Sequence, residues 1–546
     1  MFLTQAPETV SMLTRHGLRL DADVYRPPEK GPFPALLMRQ PYGRTIASTI
    51  VYAHPQWYAS QGYIVVIQDV RGRGTSAGEF DLFAHEAEDG EDTIQWVAQL
   101  PGCDGQVGMY GFSYQGMTQL QAAQTKPSAL KTIAPAMTGY YLYEDWAYEN
   151  GAFCLQIGLT WALQLAAETA RRQGDAQAYR KLLAAAKQLP LFDPVPACPE
   201  VLAGTDSFFH DWVTKSATHD YWRSLTPQLD EVDLPMLHIG GWFDPYLRGD
   251  LRLYQEMTAQ SKRQRHQHYL CVGPWGHIPW GRKVGEVDFG PQAMSPIDQL
   301  QIDWFDHILK GRDWLENRPV KLFEMGRNQW RQLADWPKNG LIQTYFLQSD
   351  GLANIREDSG FLSAQCSAHF LDEPRCDRLV HDPWNPAPAL GGHSAIPAGS
   401  FERTAVDSRG DVLTYTSAPM EAEMRVVGVV EMVGAIASST PSYDLCAVLS
   451  KVTGGKVFNL TQGYCRVEMA DAEPIITLPL QPTCFSLAPG ESLRLSLSAA
   501  CFPAYPVNPG SGVALHEAKL IEAQIIRIAI AIGGTSGAKL RLPIVH

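Results

Sequence analysis

Short apolar runs bounded by proline or glycine recur along the first half of the chain. Residues 34–38 and 63–67 form two such runs, and the second is rich in β-branched side chains. The same pattern returns at residues 235–240 and 268–273. Continuous apolar runs of this length are typical of parallel strands that are buried on both faces. The pattern therefore predicts a parallel sheet assembled from segments that lie far apart in the sequence.

Helical patterns accompany these predicted strands. Residues 162–189 are rich in Ala, Leu and Gln, which predicts a helical unit inserted between the two halves of the sheet. A further helix is predicted over residues 298–309. It should end at Lys310 and Gly311, because a glycine readily adopts the left-handed conformation that terminates helices.

From about residue 345 onwards the helical signals nearly vanish. Short strand patterns, separated by Pro, Gly and Asp turns, follow at residues 424–432, 443–452, 463–469 and 492–497. This spacing predicts a second, all-β sandwich domain.

The patterns divide the 546 residues into an α/β domain in two parts, a helical cap and a β domain, which suits the number of domains expected for this length. The predicted α/β parts are residues 1–140 and 233–344. The cap is predicted over residues 141–232 and the β domain over residues 345–546.

The charge balance excludes several classes of function. The 45 basic and 58 acidic residues give a net charge of −13 with neutral histidines, which argues against binding to nucleic acid or to an anionic membrane. The N-terminus shows no basic segment followed by an apolar run, so we expect no signal peptide. The ten cysteines include no Cys-x-x-Cys pair. We expect a cytoplasmic protein with reduced cysteines.

A serine between glycines is the clearest chemical signal. An apolar strand pattern leads into Gly111-Phe112-Ser113-Tyr114-Gln115-Gly116, and a helical pattern follows. This order is typical of a nucleophile elbow, a tight strand-to-helix turn that exposes a serine hydroxyl above the sheet edge. Gly116 stands one residue later than the strict Gly-x-Ser-x-Gly motif requires. The alternative is an ordinary serine in a glycine-rich turn.

A serine nucleophile needs a base, and the base needs a group that orients it. In α/β-hydrolases these groups follow in the order Ser, Asp or Glu, then His. Asp244 and His277 occur in that order after Ser113, and each comes directly after a predicted strand. Open α/β sheets place their sites at this end of the strands. The sequence therefore predicts a Ser113–His277–Asp244 triad. The alternative role is a helix N-cap for Asp244 and an ordinary loop histidine for His277.

Longer motifs surround these residues along nearly the whole chain. The first part contains Arg39-Gln40-Pro41-Tyr42, Gln68-Asp69-Val70-Arg71-Gly72-Arg73-Gly74, Glu88-Asp89-Gly90-Glu91-Asp92, Gly241-Trp242-Phe243-Asp244 and Gly273-Pro274-Trp275-Gly276-His277. The second part contains Asp382-Pro383, Leu390-Gly391-Gly392, Asp411-Val412-Leu413, Cys501-Phe502-Pro503 and Asn508-Pro509. With these motifs the chain resembles the CocE/NonD family of serine hydrolases, relatives of the α-amino-acid ester hydrolases and X-Pro dipeptidyl-peptidases.

The resemblance implies an α/β-hydrolase core, an inserted helical cap and a jelly-roll-like C-terminal domain. It also implies an oxyanion hole formed by the Tyr42 hydroxyl and the backbone N–H of Tyr114. Two such donors would stabilise the negative oxygen of the tetrahedral intermediate. Turn chemistry alone would make Tyr42 a turn residue after Pro41.

The resemblance also points to the walls of an acyl pocket. Trp146 and Trp161 lie roughly where the cap of a related esterase contacts an aromatic acyl group, and Tyr246 lies two residues past Asp244. Packing within the cap is the alternative for each ring. α-Amino-acid ester hydrolases hold the substrate ammonium with a carboxylate cluster. In this chain Asp244 is followed by Pro245, Tyr246 and Leu247, none of which is acidic.

Three acidic residues of the predicted cap, Glu144, Asp145 and Glu149, are the remaining sources of negative charge, although single acids there also suit a solvated helix face. We therefore expect an uncharged acyl group. His266 and His268 alternate on a strand with no third ligand nearby, so we expect no metal.

The sequence thus predicts a serine esterase or acyl hydrolase that needs no cofactor and acts on a small-molecule ester or amide. Two alternatives stay open. The first is an X-Pro dipeptidyl-peptidase or an α-amino-acid ester hydrolase or acyltransferase that uses the same triad. The second is a non-catalytic binding protein. Whether copies of the chain form a homo-oligomer is left open as well.

Overall fold

A computed structural model of the protein describes residues 6–46, 49–191, 199–261, 267–314, 316, 318–337, 340–365, 375–468, 475–533 and 537–545. Among these residues no helix is long and apolar enough to cross a membrane.

Strands and helices alternate in the first half of the chain. Up to residue 136 they are β1 (Glu8–Leu13), β2 (Arg19–Tyr25), β3 (Phe33–Gln40), α1 (Pro55–Ser60), β4 (Ile64–Asp69), α2 (Glu86–Ala98), β5 (Cys103–Phe112), α3 (Tyr114–Gln124) and β6 (Leu130–Ala136). Next come β7 (Tyr148–Glu149), β8 (Ala152–Phe153), α4 (Leu155–Arg172), α5 (Ala176–Lys187), α6 (Phe208–Thr214) and α7 (Asp220–Leu225). The third group is β9 (Met236–Phe243), α8 (Leu247–Gln260), β10 (His268–Gly276), β11 (Lys283–Val284), β12 (Val287–Asp288), α9 (Ile297–Lys310), β13 (Val320–Glu324) and β14 (Gln329–Leu333).

Strands dominate the rest of the chain, with one four-residue helix among the described residues. They are β15 (Leu341–Ser349), β16 (Gly360–Ser363), β17 (Arg375–His381), α10 (Thr404–Asp407), β18 (Leu413–Ser417), β19 (Met424–Gly428), β20 (Glu431–Gly434), β21 (Ile436–Ser438) and β22 (Ser442–Thr453). The last six are β23 (Lys456–Glu468), β24 (Ile476–Pro479), β25 (Thr483–Leu487), β26 (Ser492–Ser498), β27 (Ile526–Ile532) and β28 (Lys539–Ile544).

Within the described residues, ten strands form the first sheet in the order β1-β2-β4-β3-β5-β6-β9-β10-β13-β14. The strands from β4 to β13 in this order run parallel. Alternate residues of β3 pack into different cores, with Leu36 and Met38 on one face and Ala35 and Leu37 on the other. Burial on both faces explains why these strands appear in the sequence as unbroken apolar runs.

The predicted helical unit over residues 162–189 contains two helices, α4 and α5. Gly174 adopts a φ of +77° between them. Asp175 then caps α5 by accepting hydrogen bonds from the N–H groups of Gln177 and Ala178. Glycine next to an N-capping aspartate both ends one helix and starts the next, a signal that the Ala/Leu composition concealed.

The β strands of the second half form an eleven-stranded sheet and a three-stranded sheet among the described residues. The predicted strand over residues 424–432 is interrupted after Gly428, which has a φ of +128°. Side chains of this region share one apolar core with Trp242, Phe243 and Val320 of the first sheet. The two parts are therefore packed together, while the domain boundaries inferred from the sequence stay predictions.

A buried histidine pair predicts how stability depends on pH. Nε2 of His238 lies 3.3 Å from Nδ1 of His268, and both residues are buried. Burial lowers the pKa of His268 from 6.5 to about 4 and holds that of His238 well below its ordinary value. In this range the unfolded chain binds protons that the folded chain excludes, so the free energy of unfolding should fall as the pH drops from about 6.5 towards 4.

His268→Gln removes one of these titrating groups, so its free energy of unfolding should depend less on pH over that range. Urea unfolding of both proteins at about pH 7 and about pH 4.5 measures this difference. An unchanged pH dependence in the variant would contradict the assignment.

Candidate active site

Ser113 lies in a sharp turn between β5 and α3. Its backbone has a φ of 59° and a ψ of −126°, a conformation that a non-glycine residue keeps only when its surroundings enforce it. The Ser113 N–H donates to the carbonyl of Ala136, and the Ser113 carbonyl accepts from Gly116 and Met117. A Cβ at Gly116 would lie 2.7 Å from Cβ of Thr138. Glycine at this later position therefore lets α3 lie close to the segment that follows β6.

Asp244 and His277 contact each other directly. They follow β9 and β10, which are parallel neighbours, so both residues lie at the same edge of the sheet. Nδ1 of His277 lies 2.6 Å from Oδ2 of Asp244. The other oxygen of this fully buried carboxylate accepts the N–H of Tyr246. This arrangement holds the imidazole proton on Nδ1 and leaves Nε2 for a reacting group.

Ser113, His277 and Tyr42 line one cavity. The His277 ring packs against Phe112, with the ring centroids 5.4 Å apart. Among the described residues Ser113 makes no hydrogen bond with His277, although both side chains line the cavity. Catalytic hydrogen bonds are often long without a bound substrate and tighten when one binds.

The hydroxyl of Tyr42 is held by Trp161, whose indole N–H donates to it over 3.0 Å. Because the oxygen accepts this hydrogen bond, its own proton remains free to point elsewhere. Burial raises the pKa of Tyr42 above its ordinary value, against smaller opposing effects of Trp161 and Ser113. Tyr42 is therefore a protonated donor at neutral pH, beside the serine hydroxyl.

An ion pair of Arg44, two residues past Tyr42, holds the segment that carries Tyr42. The backbone N–H of Arg44 donates to Asp69 over 2.7 Å, and its guanidinium contacts the same carboxylate at 2.6 Å. The Arg44 Nε atom donates to Asp23 over 2.9 Å. Asp69 ends β4, the strand next to β3, so this ion pair ties the loop after β3 to the sheet.

Tyr114 begins α3, and no described residue accepts its backbone N–H. Its hydroxyl donates to Oε1 of Glu86 over 2.8 Å. The other oxygen of Glu86 lies 2.7 Å from the guanidinium of Arg39, and all three side chains are buried. The ion pair therefore anchors the residue directly after Ser113.

The cavity has a volume of about 710 Å³ and mostly apolar walls. Ile157 and Trp161 of α4 line one part, and Tyr246 lies beside the acid. Ile396 and Phe401 of the β region complete the wall. Among the described residues that line it there is no aspartate or glutamate, and Lys283 supplies a positive charge.

Trp146, the third predicted pocket residue, does not line this cavity. It stacks behind Trp161 at a centroid distance of 5.5 Å and lies 4.3 Å from the ring of Tyr246. A Cβ at Gly139 would collide with its indole. Trp146 thus supports the two rings that line the cavity, and its contact with a substrate stays a prediction.

The three acidic residues of the predicted cap have protein partners. Glu144 pairs with Arg252 at 2.6 Å. Asp145 accepts the N–H of Tyr141 and lies 3.4 Å from Arg252. Glu149 contacts Arg248 at 3.0 Å. Their charges are therefore offset inside the protein.

The β region adds two residues, Gln481 and His393, that the sequence analysis does not identify. The amide of Gln481 donates to the carbonyls of Trp242 and Asp244, over 3.0 and 2.8 Å, and His393 lines the cavity. The only available signal for His393 was its position after the Leu390-Gly391-Gly392 motif, and nothing in the sequence distinguishes Gln481.

No group of three or more His, Cys, Asp or Glu residues suited to a metal ion occurs in the described ranges. His268 contacts His238, and His266 lies outside the described residues.

Comparison with known proteins identifies the families that this chain matches. Residues 16–279 match the family model of X-Pro dipeptidyl-peptidase (S15 family), and residues 313–534 match that of the X-Pro dipeptidyl-peptidase C-terminal non-catalytic domain. The cocaine esterase of Rhodococcus sp. (strain MB1 Bresler) is 30% identical over 542 residues, covering 93% of each chain.

Two solved structures share the fold at 20% sequence identity, each covering 100% of this chain and 97% of its own. One is an aminopeptidase from a marine sediment Thaumarchaeota archaeon, with a TM-score of 0.82. The other is an α-amino acid ester hydrolase, with a TM-score of 0.79. The predicted α/β-hydrolase fold with a separate all-β C-terminal domain is confirmed.

The contact between Trp161 and Tyr42 generates a prediction. Trp161→Phe keeps an aromatic wall but removes the donor that orients the Tyr42 hydroxyl, so kcat/KM for an ester should fall about tenfold, the effect of one hydrogen bond of about 1.4 kcal/mol. In a Tyr42→Phe background the same change should cost much less, because the oriented hydroxyl is already missing.

Trp146→Phe is the matched control, since the Trp146 indole nitrogen has no hydrogen-bond partner among the described residues. Equal losses from Trp161→Phe with and without the Tyr42 hydroxyl would contradict the positioning role.

Proposed function

This chain belongs to the S15 family of serine hydrolases, and from that premise we propose that it cleaves carboxylic esters through an acyl-enzyme on Ser113. The observation that carries the proposal is the Asp244–His277 contact beside a cavity that also contains Ser113 and Tyr42. The family supports hydrolysis of ester or peptide bonds. The residue roles and the preference for uncharged, aromatic or bulky apolar acyl groups are our proposal.

In the first half-reaction the Ser113 oxygen forms a bond to the carbonyl carbon of the ester. Its proton passes to Nε2 of His277, and Asp244 stabilises the resulting imidazolium. The carbonyl oxygen becomes an oxyanion that accepts hydrogen bonds from the Tyr42 hydroxyl and the Tyr114 N–H. When the bond to the alcohol oxygen breaks, His277 returns the proton to the leaving alcohol.

In the second half-reaction water attacks the acyl-enzyme. His277 takes a proton from the water, and the same two donors stabilise the second tetrahedral intermediate. The bond to the Ser113 oxygen then breaks, and the serine recovers its proton from His277. The products are the free acid and the original enzyme, so no cofactor is consumed.

The charge of the cavity supports an uncharged acyl group. A substrate ammonium would require a carboxylate partner in this mostly apolar cavity, because an unpaired buried charge is costly. The described lining offers none and contains Lys283 instead, while Glu144, Asp145 and Glu149 are paired with arginines. Rings such as Trp161 and Tyr246 suit an aromatic group.

The same observation weighs against the peptidase and amino-acid ester hydrolase alternatives, whose substrates carry that ammonium. Acyl transfer to an amine uses the same acyl-enzyme and is separated by adding a competing amine. A non-catalytic binder does not fit a chain of this enzyme family.

A matched pair of esters tests the preference. The p-nitrophenyl ester of phenylacetic acid and that of phenylglycine differ by one α-ammonium group. We expect kcat/KM to be at least about tenfold higher for the uncharged ester, because the cavity cannot compensate the desolvated charge.

Ser113→Ala should abolish hydrolysis of both esters while circular dichroism shows a folded protein. A preference for the phenylglycine ester, or rapid release of a dipeptide from an X-Pro substrate, would overturn the proposed selectivity. Turnover by Ser113→Ala would overturn the nucleophile.

A further inference from the structure

A tight loop of the β region forms one wall of the cavity. Gly392 and Gly399 exchange backbone hydrogen bonds of 2.8 and 2.9 Å, which closes the loop between them. Gly392 has a φ of +73°, and a Cβ there would lie 2.0 Å from the amide oxygen of Gln462. The loop therefore has a fixed shape, and it lines the cavity with His393 and Ile396.

The same loop is joined to the cap. Gln156 of α4 accepts the N–H of Ile396 over 2.9 Å, and its amide donates to the Ile396 carbonyl over 3.3 Å. The position of His393 relative to the cavity is thus held from both sides.

The ring of His393 is fixed by a carboxylate. Nε2 of His393 lies 2.8 Å from Oε2 of Glu149. The Tyr505 hydroxyl donates to the same oxygen over 2.6 Å, and the Arg248 guanidinium lies 3.0 Å away. Burial alone would raise the pKa of Glu149, but Arg248 and His393 outweigh it and lower the pKa to about 2. Glu149 is therefore ionised and can only accept hydrogen bonds.

An accepting carboxylate requires the proton of His393 on Nε2. The Arg248 guanidinium, 3.0 Å from the same carboxylate, already offsets the charge of Glu149. In that tautomer Nδ1 carries a lone pair, and no described residue hydrogen-bonds to it. The residue lines the cavity although it is only 3% exposed.

We propose that His393 is a specificity-determining residue whose Nδ1 accepts a hydrogen bond from a hydroxyl group of the substrate. The inference rests on the proposed ester hydrolysis and narrows its substrate class to esters with a hydroxyl-bearing aromatic acyl group. An accepting Nδ1 forms a hydrogen bond with a substrate O–H group. It forms none with a methyl ether of similar shape, which has no proton to donate. Glu149 acts through His393 and is a positioning residue.

The test compares p-nitrophenyl esters of meta- and para-hydroxyphenylacetic acid with their methoxy counterparts. For at least one isomer the wild-type enzyme should cleave the hydroxyl ester about tenfold more efficiently, the value of one hydrogen bond. His393→Leu should bring this ratio close to one. His393→Gln should retain it, because its amide N–H can donate to Glu149 while its carbonyl accepts from the substrate.

A purely structural His393 would lower both rates together and leave the ratio unchanged in all three proteins, which would overturn the proposal. Equal rates for hydroxyl and methoxy esters in the wild-type enzyme would overturn it even if His393→Leu does not fold.

Binding separates this proposal from the proposed function. Calorimetry on Ser113→Ala with hydroxyphenylacetamide and methoxyphenylacetamide reports the preference without turnover. If the wild-type enzyme cleaves no ester but this variant binds the hydroxyl amide about tenfold more tightly, ester hydrolysis is wrong and the role of His393 stands. Equal binding of both amides would contradict it.

Discussion

The left-handed backbone of Ser113 is the constraint on which the site depends. A serine at a φ of 59° is held there by hydrogen bonds to the end of β6 and the start of α3, and by glycine at position 116. One buried ion pair secures the next residue, since Glu86 and Arg39 anchor Tyr114. Strain of this kind persists only where the surrounding structure enforces it, and here backbone hydrogen bonds and close packing do so.

Three regions of the chain contribute to one cavity. The first sheet supplies the serine, acid and histidine, while the helical region supplies Trp161, which orients Tyr42. The β region fixes the backbone of Asp244 through Gln481 and carries His393 into the wall. A change far from Ser113 in sequence can therefore alter the walls of this cavity directly.

The sequence predicts the main elements because their signals are local, and it predicts the triad from signals of the same kind. Buried parallel strands leave unbroken apolar runs, and the triad residues follow such runs in a fixed order. The end of α4 near Gly174 is not evident from the sequence, because a single glycine stands in a segment whose Ala and Leu content favours helix throughout. Trp146 was expected in the wall and lies behind it, since linear position cannot tell a lining ring from a supporting one. Gln481 and His393 act through contacts between distant segments, and no local pattern marks such contacts.

Covalent labelling tests the central claim most directly. A fluorophosphonate reacts with a serine whose hydroxyl is activated by a base. The phosphoryl oxygen of the reagent must also bind in an oxyanion hole. The account predicts that the wild-type protein gains a single adduct, that peptide mapping locates it at Ser113, and that esterase activity disappears in step with labelling. An active enzyme that stays unlabelled, or an adduct on another serine, would contradict it.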